Sequence, residues 1–298
     1  MRPSSCSGML RELSGLDTNA TGLSAPPKCG QSERFSFRQM PEIYLTVLRS
    51  RRVIVAGAHL LLSVLVASIA ATLVFLVWYP PPYADIAGGI SLFGLLVSVD
   101  VVLGPTLTAV AAHPDKPARV LWRDIAVIVA IQLAAFVYGL HAITVARPVY
   151  LAFEVDRMRV VTAADIDPAA LAEAPPGLRE LPWSGPKVVA AAKPTKPDDV
   201  LRSIDLALAG VEISMEPRNW RAYASYSGAV WSAAQPLSAL LVKYPKAVAD
   251  VERIASRVGQ PSESLRFLPL VSRQSSWVVV LAAPDARIVG YLPFDGFF

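Results

Sequence analysis

One carboxylate lies in the middle of a long apolar stretch of this sequence. The segment LLVSVDVVLGPTLTA at residues 95–109 places Asp100 among aliphatic side chains, and Gly104 and Pro105 follow in the same stretch. An acid at the centre of a membrane span costs about 2.5–3.5 kcal/mol on insertion scales, so it should face protein or water and find a polar partner. Proline removes a backbone hydrogen bond and collides with the preceding turn, so the Gly-Pro pair predicts a kink or a break.

The partners expected for Asp100 lie in the two other apolar segments of the chain. Gln132, Ser63 and His59 are the nearest polar side chains at a similar depth. His59, Ser63 and Ala67 form a stripe of small and polar residues, along which helices approach closely. We expect Gln132 or His59 to hold Asp100 inside a three-helix bundle. Two roles stay open: a docking point for another transmembrane helix or a proton site, and a structural hydrogen bond that fixes the bundle.

The three apolar segments are each long enough to cross a membrane. Hydrophobic residues make up 53% of the 298 residues and charged residues only 17%, and the mean hydropathy is +0.43. A membrane span needs roughly 20 mostly apolar residues. The segments at 53–78, 86–112 and 125–146 meet this requirement. The sequence therefore predicts three transmembrane α-helices.

The positive charges predict how these helices are oriented. Basic residues precede the first segment and occupy the loop after the second, whereas the loop after the first contains none. Cytoplasmic loops carry the excess of Lys and Arg, so the N-terminus is expected in the cytoplasm and the chain after residue 146 in the periplasm. The residues that set this orientation are Arg49, Arg51, Arg52, Lys116, Arg119 and Arg123.

The segment before the first span is expected to be a mostly disordered cytoplasmic tail at residues 1–52. Residues 1–40 are rich in Ser, Gly, Pro and Arg and show no periodicity. Translation from Met40 is an alternative that would remove most of this tail. Cys6 and Cys29 lie in it at a spacing that fits no metal site, so the predicted periplasmic part has no cysteine and no disulfide.

Residues 147–298 are predicted to form a periplasmic α+β domain. Alternating apolar residues at 149–155 indicate a half-buried strand, and further strands are expected at 158–161, 187–192, 265–271, 275–283 and 288–294. Asp167 and Pro168 are typical of a helix start. Amphipathic helices are expected at 197–210, with Leu201, Ile204 and Leu208 on one face, and at 244–259.

Nothing in this domain predicts catalysis. The histidines are His59, His113 and His141, so a Ser-His-Asp or Cys-His pair is excluded after residue 147. Phosphate-loop, dinucleotide-binding and zinc-protease motifs are missing from the sequence. We therefore predict no enzyme activity, no cofactor and no metal. The net charge of +4 comes without a basic stripe or motif, so no nucleic-acid partner is predicted.

Aromatic residues provide the candidate contacts of the periplasmic domain. Trp183 lies in LPWSGP, and Trp220 and Tyr223 are three residues apart. Two roles stay open for them: a place in the core or as loop anchors, which is the more common role of such residues, and the lining of a peptide groove as periplasmic contacts.

Several strings resemble the type IV pilin accessory protein family, of the TfpX/TfpZ type. They are HLLLS and WYP in the first span, DVVLGPTLT in the second, ARPVYLAFEVDRMRVVTAADID after the third, and LPWSGP. The resemblance covers residues 53–298. It implies an inner-membrane protein of a Gram-negative bacterium that supports type IV pilus assembly as a partner of the major pilin, and acts with other assembly proteins. The family has no catalytic residues to transfer to this chain.

The composition fits such a helper. A pilin subunit is a single helix in the inner membrane with a periplasmic head, so a helper needs one face in the bilayer and one outside it. Asp100, Gln132, His59, Gly104 and Pro105 are the predicted intramembrane contacts. A membrane sensor of a periplasmic ligand is the alternative function, although no cytoplasmic output domain is visible. An ion-coupled carrier using Asp100 is a third class, and three spans without a repeat fit it poorly.

Overall fold

The computed structural model of the protein describes residues 51–113 and 116–298, with side chains from Val53 onward. Residues 1–50 lie outside the described residues. The predictions of a disordered tail, of an alternative start at Met40 and of no metal site at Cys6 and Cys29 fall almost entirely on that part of the chain.

Three long apolar helices form the N-terminal part of the described chain. They run over Val53–Trp78, Gly89–Ala111 and Ala118–Ala146, and each is long and apolar enough to cross a membrane. Large aliphatic side chains cover their outer faces; Leu61, for example, is 73% exposed. Such exposure suits contact with lipid, where a helix satisfies all of its own backbone groups. The third helix begins before the predicted span because Pro117 precedes it and Lys116 pairs with Asp124 at 2.9 Å.

Besides the long helices, the described residues form five shorter α-helices. In chain order the α-helices are α1 (Arg51–Thr72), α2 (Tyr83–Ile86), α3 (Gly89–Ser98), α4 (Gly104–Ala111), α5 (Ala118–Ala146), α6 (Pro197–Leu208), α7 (Ser227–Ala233), α8 (Leu237–Lys243) and α9 (Val248–Val258). Two π-helical turns, Leu73–Trp78 and Val99–Leu103, extend α1 and join α3 to α4.

A mixed β-sheet organises the rest of the chain. Its strands are β1 (Pro148–Glu154), β2 (Arg157–Thr162), β3 (Lys187–Ala191), β4 (Trp220–Ala222), β5 (Gln235–Pro236), β6 (Arg266–Val271), β7 (Ser276–Ala282) and β8 (Arg287–Leu292). Their order is β4-β3-β1-β2-β6-β7-β8, and β5 pairs with β6. β1 runs antiparallel to β2 and parallel to β3, and β2 runs parallel to β6. Three long apolar helices and an α+β domain therefore make up the described fold.

The first strand is more deeply buried than the sequence predicts. Every residue of β1 is buried, although its alternation predicts a half-buried strand. Leu151 and Phe153 enter one core, whereas Tyr150 and Ala152 enter a second core on the other face of the sheet. The alternation predicts one apolar face and one face in contact with water, but small and aromatic residues on the second face pack against the segment around Trp220.

The loop between the first two apolar helices is part of the core of the α+β domain. Ile86 is fully buried in the core that contains Leu151 and Phe153. The hydroxyls of Tyr83 and Tyr291 lie 2.7 Å apart, and Ser272 Oγ donates to Ile86 O at 2.6 Å. The connection is therefore a structural element that ties the apolar helices to the sheet.

The two amphipathic helices of the domain are confirmed, but they present different faces. α9 buries Val251 and Ile254 and ends at Gly259, whose φ of 70° suits the left-handed position after a helix. α6 instead leaves its apolar face uncovered: Leu201 is 63% and Leu208 is 84% exposed. The predicted start at residues 167–168 is a 3₁₀ helix, Pro168–Glu173.

Candidate functional site

A cleft with polar side chains opens between the three apolar helices. Its cavity of about 150 Å³ is lined by His59, Ser63, Asp100 and Gln132. Together with Gly104, which touches Gln132, we call these residues the polar cleft. The sequence predicts His59, Asp100, Gln132 and Gly104 as intramembrane contacts, and the structure brings these four together. Apolar residues complete the wall: Leu62, Val66, Val129, Leu133 and Phe136.

The backbone of the second apolar helix is adapted around Asp100. The helix does not end at the Gly-Pro pair; it continues through the π-helical turn Val99–Leu103, and Gly104 keeps right-handed helical angles. In a π-helical turn, the carbonyl of residue 100 is aligned with the N–H of residue 105. That residue is Pro105, which has no N–H, so the Asp100 carbonyl needs another donor.

Gln132 on the third helix supplies that donor. Its Nε2 donates to the main-chain oxygen of Asp100 at 3.5 Å. A Cβ on Gly104 would lie 2.2 Å from the same Nε2, so the glycine leaves the space that the amide fills. One hydrogen bond thus depends on three residues: Pro105 leaves the carbonyl free, Gly104 leaves the space, and Gln132 donates.

The hydrogen bond that the sequence predicts between the Asp100 carboxylate and Gln132 or His59 is not formed. Gln132 contacts the main-chain oxygen of Asp100 and not its side chain, and His59 Nδ1 pairs with Thr108 Oγ1 at 2.6 Å. The physical reason is that Pro105 frees a carbonyl for the Gln132 amide and Thr108 offers a hydroxyl to His59, so neither predicted partner makes a hydrogen bond to the carboxylate. His59 is still the electrostatic neighbour of the Asp100 carboxylate. Asp100 Oδ1 and Gln132 Oε1 are buried without a hydrogen-bond partner among the described residues.

Thr108 is a cleft-side residue that the sequence analysis missed. It is fully buried, although it is polar and lies in an apolar helix. Asp100, Gly104 and Thr108 are spaced four residues apart, as are His59 and Ser63 on the first helix. This second stripe of small and polar residues was the signal that would have identified it.

The predicted aromatic contacts of the domain are not brought together. Trp220 is fully buried, packs on Tyr150 and donates to Ser214 O at 2.8 Å, so its ring lies in the core. Tyr223 is half-buried, and its hydroxyl donates to Ala286 O at 2.7 Å. Trp183 is 61% exposed, at the end of the first apolar helix. The residues therefore form no common groove.

The uncovered face of α6 is the surface that the sequence analysis did not single out. Ser203 and Leu206 turn toward the domain, where Ser203 Oγ donates to Glu216 Oε1 at 2.8 Å. The opposite face exposes large aliphatic side chains, which we call the α6 patch: Val200, Leu201, Ile204 and Leu208. The signal was present in the sequence as an amphipathic pattern, but the pattern does not say which face is covered.

Comparisons with known proteins agree on one family. The model of the fimbrial assembly protein FimB family matches residues 49–88, which include the first apolar helix and the loop that enters the domain. No solved structure matches the chain.

Curated relatives match much more of the chain. The fimbrial assembly protein of serogroup I from Dichelobacter nodosus is 37% identical over 229 residues, which cover 76% of this chain and 89% of that protein. The serogroup E1 protein of the same organism is 36% identical over the same shares. The protein of serogroups C1 and C2 is 44% identical over 112 residues, or 38% of this chain and 86% of that protein. The chain therefore belongs to the fimbrial assembly protein family.

Proposed function

We propose that the chain is a non-enzymatic accessory protein for type IV pilus assembly, which holds the major pilin in a bacterial inner membrane. Its relatives are named for fimbrial assembly, which supports the process. The polar cleft is the observation that carries the pilin-binding part. The N-terminus lies in the cytoplasm and the α+β domain in the periplasm, as the distribution of Lys and Arg favours.

The polar cleft suits a transmembrane helix that presents a hydrogen-bond donor. Asp100 Oδ1 and Gln132 Oε1 are buried acceptors without a partner among the described residues. A buried acceptor left unpaired costs about 1–3 kcal/mol, so a donor on an incoming helix gains by reaching them. Ser63 and Gly104 are small residues, which allow the backbone of an incoming helix to approach the cleft closely. A pilin helix in the same bilayer is the partner that the family membership favours.

The α6 patch is the contact that we propose for the pilin head. It exposes Leu201, Ile204 and Leu208 outside the apolar helices, and such a patch marks an interaction surface. Trp220 is buried and Tyr223 is half-buried, so α6 replaces them as the head contact in this proposal. A helper with both surfaces holds a subunit at its helix and at its head.

Substitution of the cleft acceptors tests the proposal. We expect Asp100→Ala to reduce the amount of pilin co-purified from native membranes several-fold, and to reduce surface pili with it. Ser98→Ala is the matched control, because Ser98 lies on the same helix and its hydroxyl donates within that helix, to Leu95 O at 2.8 Å. Unchanged pilin capture and unchanged piliation in Asp100→Ala, at a normal level of the protein, would contradict the proposal that the polar cleft binds the pilin helix.

A further inference from the structure

A second polar feature lies where the first and third apolar helices end. Trp78 is the last residue of the first helix, and Arg147 follows the last residue of the third. Trp183 contacts both: its ring is 5.7 Å from that of Trp78 and 5.8 Å from Arg147 Cζ. Gly185 N donates to Val77 O at 2.7 Å and holds the loop of Trp183 against the helix end. We call Trp78, Arg147 and Trp183 the helix-end corner.

Two hydrogen-bond donors of this corner are buried and unused. Trp78 is 3% exposed, and its Nε1 has no partner among the described residues. The Nε of Arg147 is likewise buried without one, although Nη1 donates to Thr144 O at 2.7 Å. Buried donors of this kind are rare in folded proteins, so two of them beside one tryptophan ring indicate a missing acceptor.

The charge of Arg147 is also uncompensated. Among residues 53–113 and 116–298, the electrostatic neighbours of Arg147 are the Tyr79 hydroxyl and the Trp183 ring, and neither is a carboxylate. Burial lowers the pKa of Arg147, and the Tyr79 hydroxyl raises it. Arg147 is half-buried with its Nε shielded from solvent, and such a guanidinium is stabilised by a group that brings negative charge and several acceptor oxygens.

We propose that the helix-end corner binds a phosphate oxyanion, supplied by the headgroup of a phospholipid in the leaflet that faces the α+β domain. The guanidinium presents its donors in a planar fork that matches phosphate, and the indole N–H of Trp78 adds a further donor. Ends of apolar spans lie at headgroup depth, where exposed rings such as that of Trp183 prefer to be.

The surroundings favour a lipid as the source of the phosphate. Just inside the corner, Leu76 is 70% and Val145 is 39% exposed on the first and third helices, where acyl chains would lie. A phospholipid bound at the corner would place its acyl chains against these side chains, whereas a free phosphate ion would use the same donors and make no contact with them. Separate binding measurements with a phospholipid and with inorganic phosphate distinguish these two sources of the phosphate group.

Native mass spectrometry of the full chain in detergent tests the site. The probes are phosphatidylglycerol in one arm and inorganic phosphate in the other. We expect Arg147→Gln to lower phosphatidylglycerol binding about ten-fold, as loss of a charged hydrogen-bond partner does. Trp78→Phe, which removes the indole N–H and keeps a ring, should lower it about three-fold.

Matched controls remove the same groups elsewhere. Arg287→Gln takes an exposed guanidinium from β8, and Trp122→Phe takes an exposed indole from the far end of the third helix. Loss of lipid in the two corner variants alone supports the headgroup site. Binding of inorganic phosphate with the same dependence on Arg147 and Trp78 would keep the phosphate site but make the free ion its ligand. Wild-type binding of both probes by both corner variants, each eluting as a folded protein, would overturn the proposal.

Discussion

At the scale of single residues, Pro105 explains why Gln132 reaches across to the second helix. The proline cannot donate to the Asp100 carbonyl, and Gln132 Nε2 takes that role. The sequence was sufficient to select Asp100, Gln132 and Gly104, because polar and small residues are conspicuous in an apolar run. It was insufficient to assign the hydrogen-bond partners of Gln132, because the pattern of side chains does not show which main-chain carbonyl a proline leaves without a donor.

A double-mutant cycle tests this link. We expect Gln132→Leu to lower the free energy of unfolding by about 0.5–1.5 kcal/mol. In a Pro105→Ala background, residue 105 regains its N–H and the same change should cost clearly less. Thermal unfolding of the four proteins in one detergent measures the difference. Equal costs in both backgrounds would contradict the assigned role of Pro105.

Two tyrosines, Tyr83 and Tyr223, make the stability of the folded protein sensitive to alkaline pH. Burial raises the pKa of Tyr83 above its usual value of 10.0, and the neighbouring Tyr291 raises it further. Burial also raises the pKa of Tyr223, with smaller contributions from Asp285 and Tyr291. The unfolded chain then loses phenol protons near pH 10 that the folded chain keeps, so stability is fully present below that pH and falls above it.

The measurement is the unfolding temperature as a function of pH between about 8 and 12, with tyrosinate absorbance recorded in parallel. Tyr83→Phe should flatten the decline above pH 10, whereas the exposed Tyr138→Phe should leave it unchanged. An alkaline decline that is equally steep in Tyr83→Phe would show that this phenol ionises freely in the folded protein.

At the scale of elements, the close approach between the helix ends depends on one glycine. Gly89 begins the second apolar helix, and a Cβ there would lie 2.7 Å from the fully buried ring of Tyr79. We expect Gly89→Ala to cost about 1–3 kcal/mol through overpacking. Gly94→Ala is the control, because nothing lies within 4 Å of a Cβ at that position of the same helix. Unfolding measurements that find equal stability for both variants would contradict the packing described.

The orientation of α6 gives a second prediction at this scale. Leu201 is 63% exposed, whereas Leu206 on the opposite face is half-buried against the domain. We expect Leu201→Ser to change the free energy of unfolding by no more than about 0.5 kcal/mol. Leu206→Ser should cost more, since it places a hydroxyl against an apolar neighbour. The reverse order in chemical denaturation would mean that the helix presents its other face.

These two elements also show which part of the fold the sequence predicts. The periodicity of residues 197–210 and 244–259 predicts both helices, because amphipathic spacing is a local property. Which face of α6 is covered depends on Glu216 and other residues distant in the chain, and the spacing does not contain that information. The same limit explains why β1 was expected to be half-buried and is buried on both faces.

At the scale of the whole molecule, the apolar helices and the α+β domain share a core. Ile86 lies between the first two apolar helices in sequence, yet it is fully buried among residues of β1, β6 and β7. The sequence predicts residue 86 as the start of the second span, but that helix begins at Gly89 and Ile86 lies in the short helix before it. The pattern of apolar residues does not reveal this, because the contacts of Ile86 are with strands that follow it by more than sixty residues. The apolar helices and the α+β domain are therefore connected by packing and not only by the chain.

The shared core predicts that one loop residue stabilises the distant sheet. We expect Ile86→Ala to cost about 2–5 kcal/mol, as truncation of a fully buried aliphatic side chain does. Hydrogen exchange of the full chain in detergent should show the loss of protection in β6 and β7. Ile90→Ala, at a position that is 51% exposed, is the control. Unchanged exchange of β6 and β7 in Ile86→Ala would contradict the shared core.

Photo-crosslinking in the native membrane tests the proposed function most directly. Probes at Val129, which lines the polar cleft, and at Ile204 in the α6 patch are compared with a control at Leu61, on the opposite face of the first helix from His59 and Ser63. The account predicts crosslinks to the major pilin from both probes and none from the control. Absence of the pilin from both probes, with all three proteins expressed at the wild-type level, would contradict the proposal that this protein holds the subunit in the bilayer and at its head.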